Sequence, residues 1–172
     1  MYKEAQRKLY NIISTLRRIQ IKTRLHISRI EKKLDSKRLS REERAILLNT
    51  VRTLYKLDFI IEWIIIRSET MLVSSIFNKD DVRMLKEVIS IVHGFSGEIE
   101  PDISASLLEI SNMMSNLELS LGSMSINELE RIRQETSEPP LRVRDEVNGI
   151  LNTASEYADN KIKGLIEKIY EG

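Results

Sequence analysis

Residues 35–43 of this chain read Asp-Ser-Lys-Arg-Leu-Ser-Arg-Glu-Glu, a polar stretch between two long segments that contain neither Gly nor Pro. Ser40 and Glu43 have the spacing of a capping box, in which each residue's side chain accepts a hydrogen bond from the other's backbone amide. A second helix is therefore expected to begin here and to run to about Phe77, over roughly 55 Å. Because the turn is short and both flanking segments are long, the sequence predicts an antiparallel helical hairpin over about residues 3–77.

The segment before the turn has the apolar spacing of an amphipathic helix. Its apolar residues recur at alternating steps of four and three, with polar interruptions at Gln20 and Thr23. This pattern predicts one face that packs against a partner helix. The stripe consists of Leu9, Ile13, Leu16, Gln20, Thr23, Ile27, Ile30 and Leu34.

The middle of the second helix is apolar on nearly all sides, and a single hairpin partner cannot cover such a helix. Two interpretations follow: an ordinary bundle core, or a surface that contacts other copies of the chain, which can build open filaments. The residues that we predict to serve self-association are Leu57, Phe59, Ile60, Trp63, Ile64 and Ile66.

The rest of the chain is also expected to be helical, which makes the fold all-α. Shorter helices are predicted over about residues 81–136, with a stop at His93-Gly94 and a new helix from about Asp102 to Leu121. Residues 1–136 would then form one helical core. Pro139 and Pro140 predict a hinge over residues 137–141, because neither can donate a backbone hydrogen bond. An amphipathic helix, predicted to be acidic, follows over residues 142–172.

The charge of the chain is divided unevenly, although its net value is only +1. Residues 1–56 contain 16 Lys and Arg against 5 Asp and Glu, a net +11, and residues 57–172 contain 11 against 21, a net −10. The two parts are expected to attract each other or outside partners of opposite charge. The chain has no Cys, which excludes disulfides, and no secretory signal or membrane-spanning run is visible.

The basic residues of the first helix predict an anion-binding surface. Its partner could be phospholipid headgroups, nucleic acid or an acidic face of another copy; alternatively, the acidic part of the chain itself neutralises the charge. Few aromatics lie between the basic residues, which argues against stacking on single-stranded nucleic acid. The candidate residues are Arg7, Lys8, Arg17, Arg18, Lys22, Arg24, Arg29, Lys32, Lys33, Lys37 and Arg38.

Catalytic and metal-binding motifs are missing from the sequence. His26 and His93 are its only histidines, and neither has a partner at metal-ligand spacing. Gly94-Phe95-Ser96-Gly97 lacks the spacing and the Lys of a phosphate-binding loop, and no nucleophile elbow is present. We therefore expect a protein that is not an enzyme and that uses neither metal nor cofactor.

Three segments together resemble the ESCRT-III core. They are residues 5–9 (AQRKL) in the basic helix, residues 41–45 (REERA) after the turn, and residues 146–154 (EVNGILNTA) in the last helix. The chain is most similar to the archaeal CdvB-type cell-division proteins, in particular to short paralogues without a winged-helix domain. The resemblance covers most of the chain in architecture and is carried by helical motifs.

The resemblance implies a helical hairpin core, polymerisation into filaments that remodel membranes in cell division or vesicle release, and co-assembly with paralogous subunits. It also implies a cytoplasmic protein, peripheral at the membrane of the division site, whose filaments a Vps4-like AAA ATPase disassembles through indirect contact. A helical nucleic-acid-binding or regulatory adaptor bundle that uses the same basic helix is the alternative.

Overall fold

The computed structural model describes residues 2–74, 79–96, 100–121 and 141–171, and these residues form five helices with no strand among them. They are α1 (Tyr2–Leu34), α2 (Arg41–Ser74), α3 (Lys79–Ser96), α4 (Pro101–Leu121) and α5 (Leu141–Glu171). The all-α prediction is confirmed. No helix in this part of the chain combines the length and the apolar character needed to cross a bilayer.

The capping box is present at the start of α2. The amide of Ser40 donates to Oε2 of Glu43 at 3.0 Å, and the amide of Glu43 donates to Oγ of Ser40 at 3.1 Å. These bonds satisfy backbone donors that the first turn of a helix otherwise leaves unpaired. The start of α2 after the turn is therefore stabilised by Ser40 and Glu43, the two residues from which it was predicted.

Contacts between α1 and α2 run in opposite directions along the two helices. Arg24 Nε donates to Oδ1 of Asp58 at 3.0 Å, and Arg17 forms an ion pair with Glu69 farther from the turn. The residue number thus rises on α2 as it falls on α1, which makes the pair an antiparallel hairpin. Gln20, one of the two polar interruptions, hydrogen-bonds Glu62 across the same boundary.

Helices α3 and α4 complete a four-helix bundle with the hairpin. Helix α4 runs antiparallel to α1, since Lys8 contacts Ser120 and His26 contacts Glu100. Helix α3 packs against both α4 and α2. Because α3 and α4 have 18 and 21 residues against 33 and 34 in the hairpin, they cover only the half of the hairpin far from its turn.

Helix α5 packs along α2, antiparallel to it and outside the four-helix bundle. Arg52 Nε donates to Oδ1 of Asp159 at 2.7 Å, and the rings of Phe59 and Tyr157 lie 5.2 Å apart. The acidic character predicted for this helix is slight, because residues 141–171 contain six Asp and Glu against five Lys and Arg. The acidic excess lies mainly in residues 57–121, with 11 Asp and Glu against 4 Lys and Arg.

The apolar middle of α2 is the core of the single chain. Leu57, Ile60 and Ile64 are completely buried, because α1, α3 and α5 together surround the helix. A residue enclosed in this way cannot contact a second copy in this conformation, so the self-association prediction is wrong for these three residues. The ordinary bundle core, the other interpretation, is what the structure has.

Two boundary predictions can be compared with the helices and one cannot. Helix α3 continues through His93-Gly94, where a stop was predicted, and ends at Ser96. The start of α4 is within one residue of the predicted Asp102. The hinge at Pro139 and Pro140, and the part of the predicted shorter helices that falls on residues 122–136, lie outside the described residues.

Candidate anion-binding surface on the first helix

The predicted basic residues fall into two groups, and the first is used within the chain. Lys8 Nζ lies 3.3 Å from the carboxylate of Glu4, and Arg17 pairs with Glu69 across the hairpin. Arg24 pairs with Asp58 at 3.0 Å. Lys8 also contacts Ser120 of α4, so these three cations join elements of the fold and are less available to an outside partner than the sequence alone suggested.

The second group is exposed, and none of its members forms an ion pair within the part of the chain that the structure describes. Arg18 only donates a hydrogen bond of 3.2 Å to the Thr15 hydroxyl, which leaves its charge uncompensated. Lys37 and Arg38 lie exposed in the turn. The exposed helical members of the group are Arg7, Arg18, Lys22, Arg29, Lys32 and Lys33.

Five of these residues lie on one side of α1, and we call them the basic face: Arg7, Arg18, Lys22, Arg29 and Lys32. Their separations of eleven, four, seven and three residues return to the same side of an α-helix. This side of α1 is opposite its buried apolar stripe. The basic face therefore points to solvent over most of the length of the helix.

No carboxylate neutralises the basic face from within its own helix. Helix α1 contains only two acidic residues, Glu4 and Glu31. Glu4 pairs with Lys8, and Glu31 accepts a hydrogen bond of 2.6 Å from the Tyr55 hydroxyl. Since Lys8 and Tyr55 are the partners of these two acids, the basic face presents a positive potential to solvent.

One large apolar side chain lies within the basic face. Leu25 follows Lys22 by three residues and precedes Arg29 by four, and 52% of its surface is exposed. An apolar side chain between exposed cations is suited to a lipid surface, where charged headgroups cover apolar acyl chains. Leu25 lies outside the apolar stripe that predicted the hairpin contact, and the predicted anion-binding surface contained basic residues only.

The remaining self-association candidates differ from the buried ones. Phe59 and Trp63 are half-buried and line an open groove of about 430 Å³ between α2 and α5, together with Gly149 and Ile150. The Arg67 guanidinium lies 6.0 Å from the centre of the Trp63 ring. Ile66 is 54% exposed and is the only candidate of the six that is open to solvent.

Three carboxylates of α2 line the boundary between α1 and α2. They were not among the residues predicted from the sequence. Asp58, Glu62 and Glu69 are separated by four and seven residues, and their partners Arg17 and Arg24 are separated by seven. The matched seven-residue spacing is the signal that could have identified them. Burial raises the pKa of the Asp58 carboxyl above its usual value, and the Arg24 guanidinium only partly offsets this.

The described residues offer no arrangement for metal binding, since no group of three or more His, Asp or Glu side chains converges among them. His26 is half-buried and contacts Glu100, and His93 lies on α3. What the arrangement can do chemically is attract anions along one side of α1.

Comparison with known proteins found no family model, no curated protein and no solved structure that matches this chain.

Proposed function

We propose that this chain is a non-enzymatic, ESCRT-III-like subunit that binds anionic membranes through the basic face and polymerises into filaments that remodel membranes in cell division or vesicle release. It would act at the cytoplasmic side of the membrane, with paralogous subunits in the same filament and a Vps4-like AAA ATPase acting indirectly. The observation that supports this proposal most is a row of five exposed cations on α1 without a carboxylate among them.

The energetics favour docking on an anionic bilayer. Each Lys or Arg near such a surface contributes about 1 kcal/mol, and the attraction decays over about 8 Å at physiological salt. Five cations along one straight helix can all come within that distance of a plane. Leu25 would add a small apolar contribution at the level of the headgroups.

Vesicle sedimentation tests the docking step. The protein is expected to pellet with vesicles of phosphatidylcholine and phosphatidylserine, to stay in solution with phosphatidylcholine alone, and to be released by high salt. Equal pelleting with both vesicles, unaffected by salt, contradicts the proposal. Tight, steeply salt-dependent binding to duplex DNA without lipid binding favours the nucleic-acid-binding alternative instead.

A matched pair of variants distinguishes the effect of the basic face on vesicle binding from the effect of net charge. Lys22→Glu with Arg29→Glu reverses two charges on the face, and Lys163→Glu with Lys168→Glu reverses two exposed charges on α5. Both variants change the net charge equally. Only the first is expected to abolish pelleting, and equal losses would show that overall charge rather than this surface is responsible.

Negative-stain electron microscopy tests polymerisation. Filaments are expected with phosphatidylserine vesicles and at high protein concentration. A protein that binds vesicles but never assembles, alone or with paralogous subunits, contradicts the filament part of the proposal and leaves the docking part standing.

A further inference from the structure

A second exposed surface lies on the hairpin, beside the basic face and different from it in character. It surrounds the ion pair between Arg17 of α1 and Glu69 of α2, and we call it the seam face. Four exposed apolar side chains flank that ion pair: Tyr10, Ile21, Ile66 and Val73, at 67%, 61%, 54% and 85% exposure.

Helical spacing places these side chains around the ion pair. Tyr10 and Ile21 are seven residues before and four after Arg17, so all three lie on one line of α1. Ile66 and Val73 are three residues before and four after Glu69, on one line of α2. The residues Ile66, Glu69, Thr70 and Val73 line a shallow groove of about 350 Å³ on this face.

The antiparallel directions of α1 and α2 bring the apolar side chains to matching levels. Ile21 and Ile66 lie about 6 Å and about 4.5 Å from the ion pair toward the turn. Tyr10 and Val73 lie about 10 Å and about 6 Å from it in the other direction. The face therefore has an apolar pair on each side of a central ion pair.

Charge decides what this face can bind. The basic face repels an identical surface, whereas the seam face is balanced, with cations on the α1 side and carboxylates on the α2 side. Arg24, with Asp58 and Glu62, repeats the arrangement about 10 Å nearer the turn. A surface with equal rows of both charges offers no preference for a membrane or a nucleic acid, but it can be complementary to itself.

We infer that the seam face binds the seam face of a second copy, around a two-fold axis parallel to the hairpin. This inference rests on the filament part of the proposed function, to which it contributes a dimer contact; a closed two-fold contact joins only two copies, so a filament needs a second contact as well. The axis places α1 of one copy over α2 of the other, with both turns at the same end. Arg17 then faces the partner's Glu69, and Ile21 faces the partner's Ile66.

The available area is sufficient for a stable contact. A hairpin face of about 50 Å by 20 Å presents up to about 1,000 Å², and stable dimers bury about 800 Å² on each partner, so the contact has to extend along the hairpin beyond the residues of the seam face. The four exposed apolar side chains on either side of the ion pair supply the apolar area of such an interface.

Analytical ultracentrifugation with matched variants tests the inference. Ile66→Glu with Val73→Glu is expected to raise the dimer dissociation constant by roughly tenfold or more, because it replaces the apolar side chains on both sides of the ion pair by carboxylates. Leu108→Glu with Leu119→Glu, at exposed leucines of α4, is the control and should leave it unchanged. A wild-type protein that stays monomeric at every concentration overturns the inference, as does equal loss in both variants.

Mixing charge variants tests the geometry of the contact. Arg17→Glu chains and Glu69→Arg chains each carry like charges at the centre of their own dimer. The proposed axis predicts that the two chains together form a heterodimer more tightly than either forms a homodimer. No preference for the heterodimer overturns the axis.

Cysteine cross-linking gives a second measurement, because the chain has no native Cys. Ile21→Cys chains mixed with Ile66→Cys chains should form a disulfide-linked dimer on mild oxidation, and Ile21→Cys mixed with Leu119→Cys should not. Equal yields contradict the inference. Vesicle pelleting of Ile66→Glu with Val73→Glu should persist, so failure of this contact and failure of membrane docking are distinguishable.

Discussion

The hydroxyl of Tyr55 donates a hydrogen bond of 2.6 Å to Oε1 of Glu31, which ties α2 to α1 near the turn of the hairpin. The half of the hairpin near its turn lies beyond α3 and α4, so fewer helices hold it together. Tyr55 is 6% exposed, which places its phenol inside the hairpin with Glu31 as its partner.

Tyr55→Phe is expected to reduce the free energy of unfolding by about 1.5–3 kcal/mol, the net value of a hydrogen bond to a charged group. Urea denaturation measures this difference. Tyr10→Phe is the matched control, since its side chain is 67% exposed, and it should change the free energy by much less. A cost that is equal in the two variants would show that the bond to Glu31 contributes nothing.

The same bond predicts how stability changes in alkali. Burial, followed by the hydrogen bond and the charge of Glu31, raises the pKa of Tyr55 above its usual value. Stability from a raised pKa is present below the unfolded value of about 10 and is lost as the pH rises through the folded value. Above about pH 10, the wild type should therefore lose stability more steeply than Tyr55→Phe, which denaturation at a series of pH values checks.

Leu57→Ala tests whether the apolar middle of α2 is core or contact surface. The side chain is completely buried, so its truncation should cost about 2–5 kcal/mol of unfolding free energy. Ile66→Ala, at a half-exposed position on the same helix, should cost less than about 1 kcal/mol. If Leu57 instead served self-association, Leu57→Ala would leave the stability of the dilute protein unchanged and weaken its assembly.

The contribution of Asp58 to stability should change with pH in the opposite direction from that of a carboxylate whose pKa is lowered in the folded protein. Since its pKa is raised mainly by burial, its contribution to stability is greatest in acid and is lost as the pH rises through the folded pKa. The stability difference between wild type and Asp58→Asn should fall as the pH rises above about 4. A difference that grows over this range would mean that Arg24 outweighs burial.

Local signals predicted the parts of this fold that depend on neighbouring residues. The capping box at Ser40 predicted the start of α2 because both of its hydrogen bonds form within one turn. Gly94 failed as a stop signal, because its intrinsic cost within a helix is only about 1 kcal/mol and tertiary packing can offset it.

Contacts between residues far apart in the sequence could not be predicted from local signals. The pattern around Leu57 showed that the helix is covered on all sides, but not whether its own chain or another covers it. Likewise, the list of basic residues did not separate Arg17, which pairs with Glu69, from Lys22 on the basic face. That separation depends on the register of α1 against α2, which brings together residues that are 52 positions apart.

The attachment of α5 gives the last prediction, because the only Trp of the chain reports on it. Trp63 is half-buried in the groove between α2 and α5. Ala158 of α5 is completely buried, so a larger side chain there has no space while α5 stays in place. Ala158→Leu should therefore push α5 away from α2, since overpacking costs about 1–3 kcal/mol while α5 stays in place.

The expected result for Ala158→Leu is a shift of the Trp63 emission to longer wavelength and stronger quenching by acrylamide. Asn160→Leu adds the same side chain at an exposed position two residues away and should change neither. The ion pair between Arg52 and Asp159 would be lost with the displaced helix, so the pKa of Asp159, which the hydrogen bond from Arg52 holds below its usual value, should return toward normal. Unchanged quenching together with lower stability would mean that α5 stays docked and the core around it absorbs the strain.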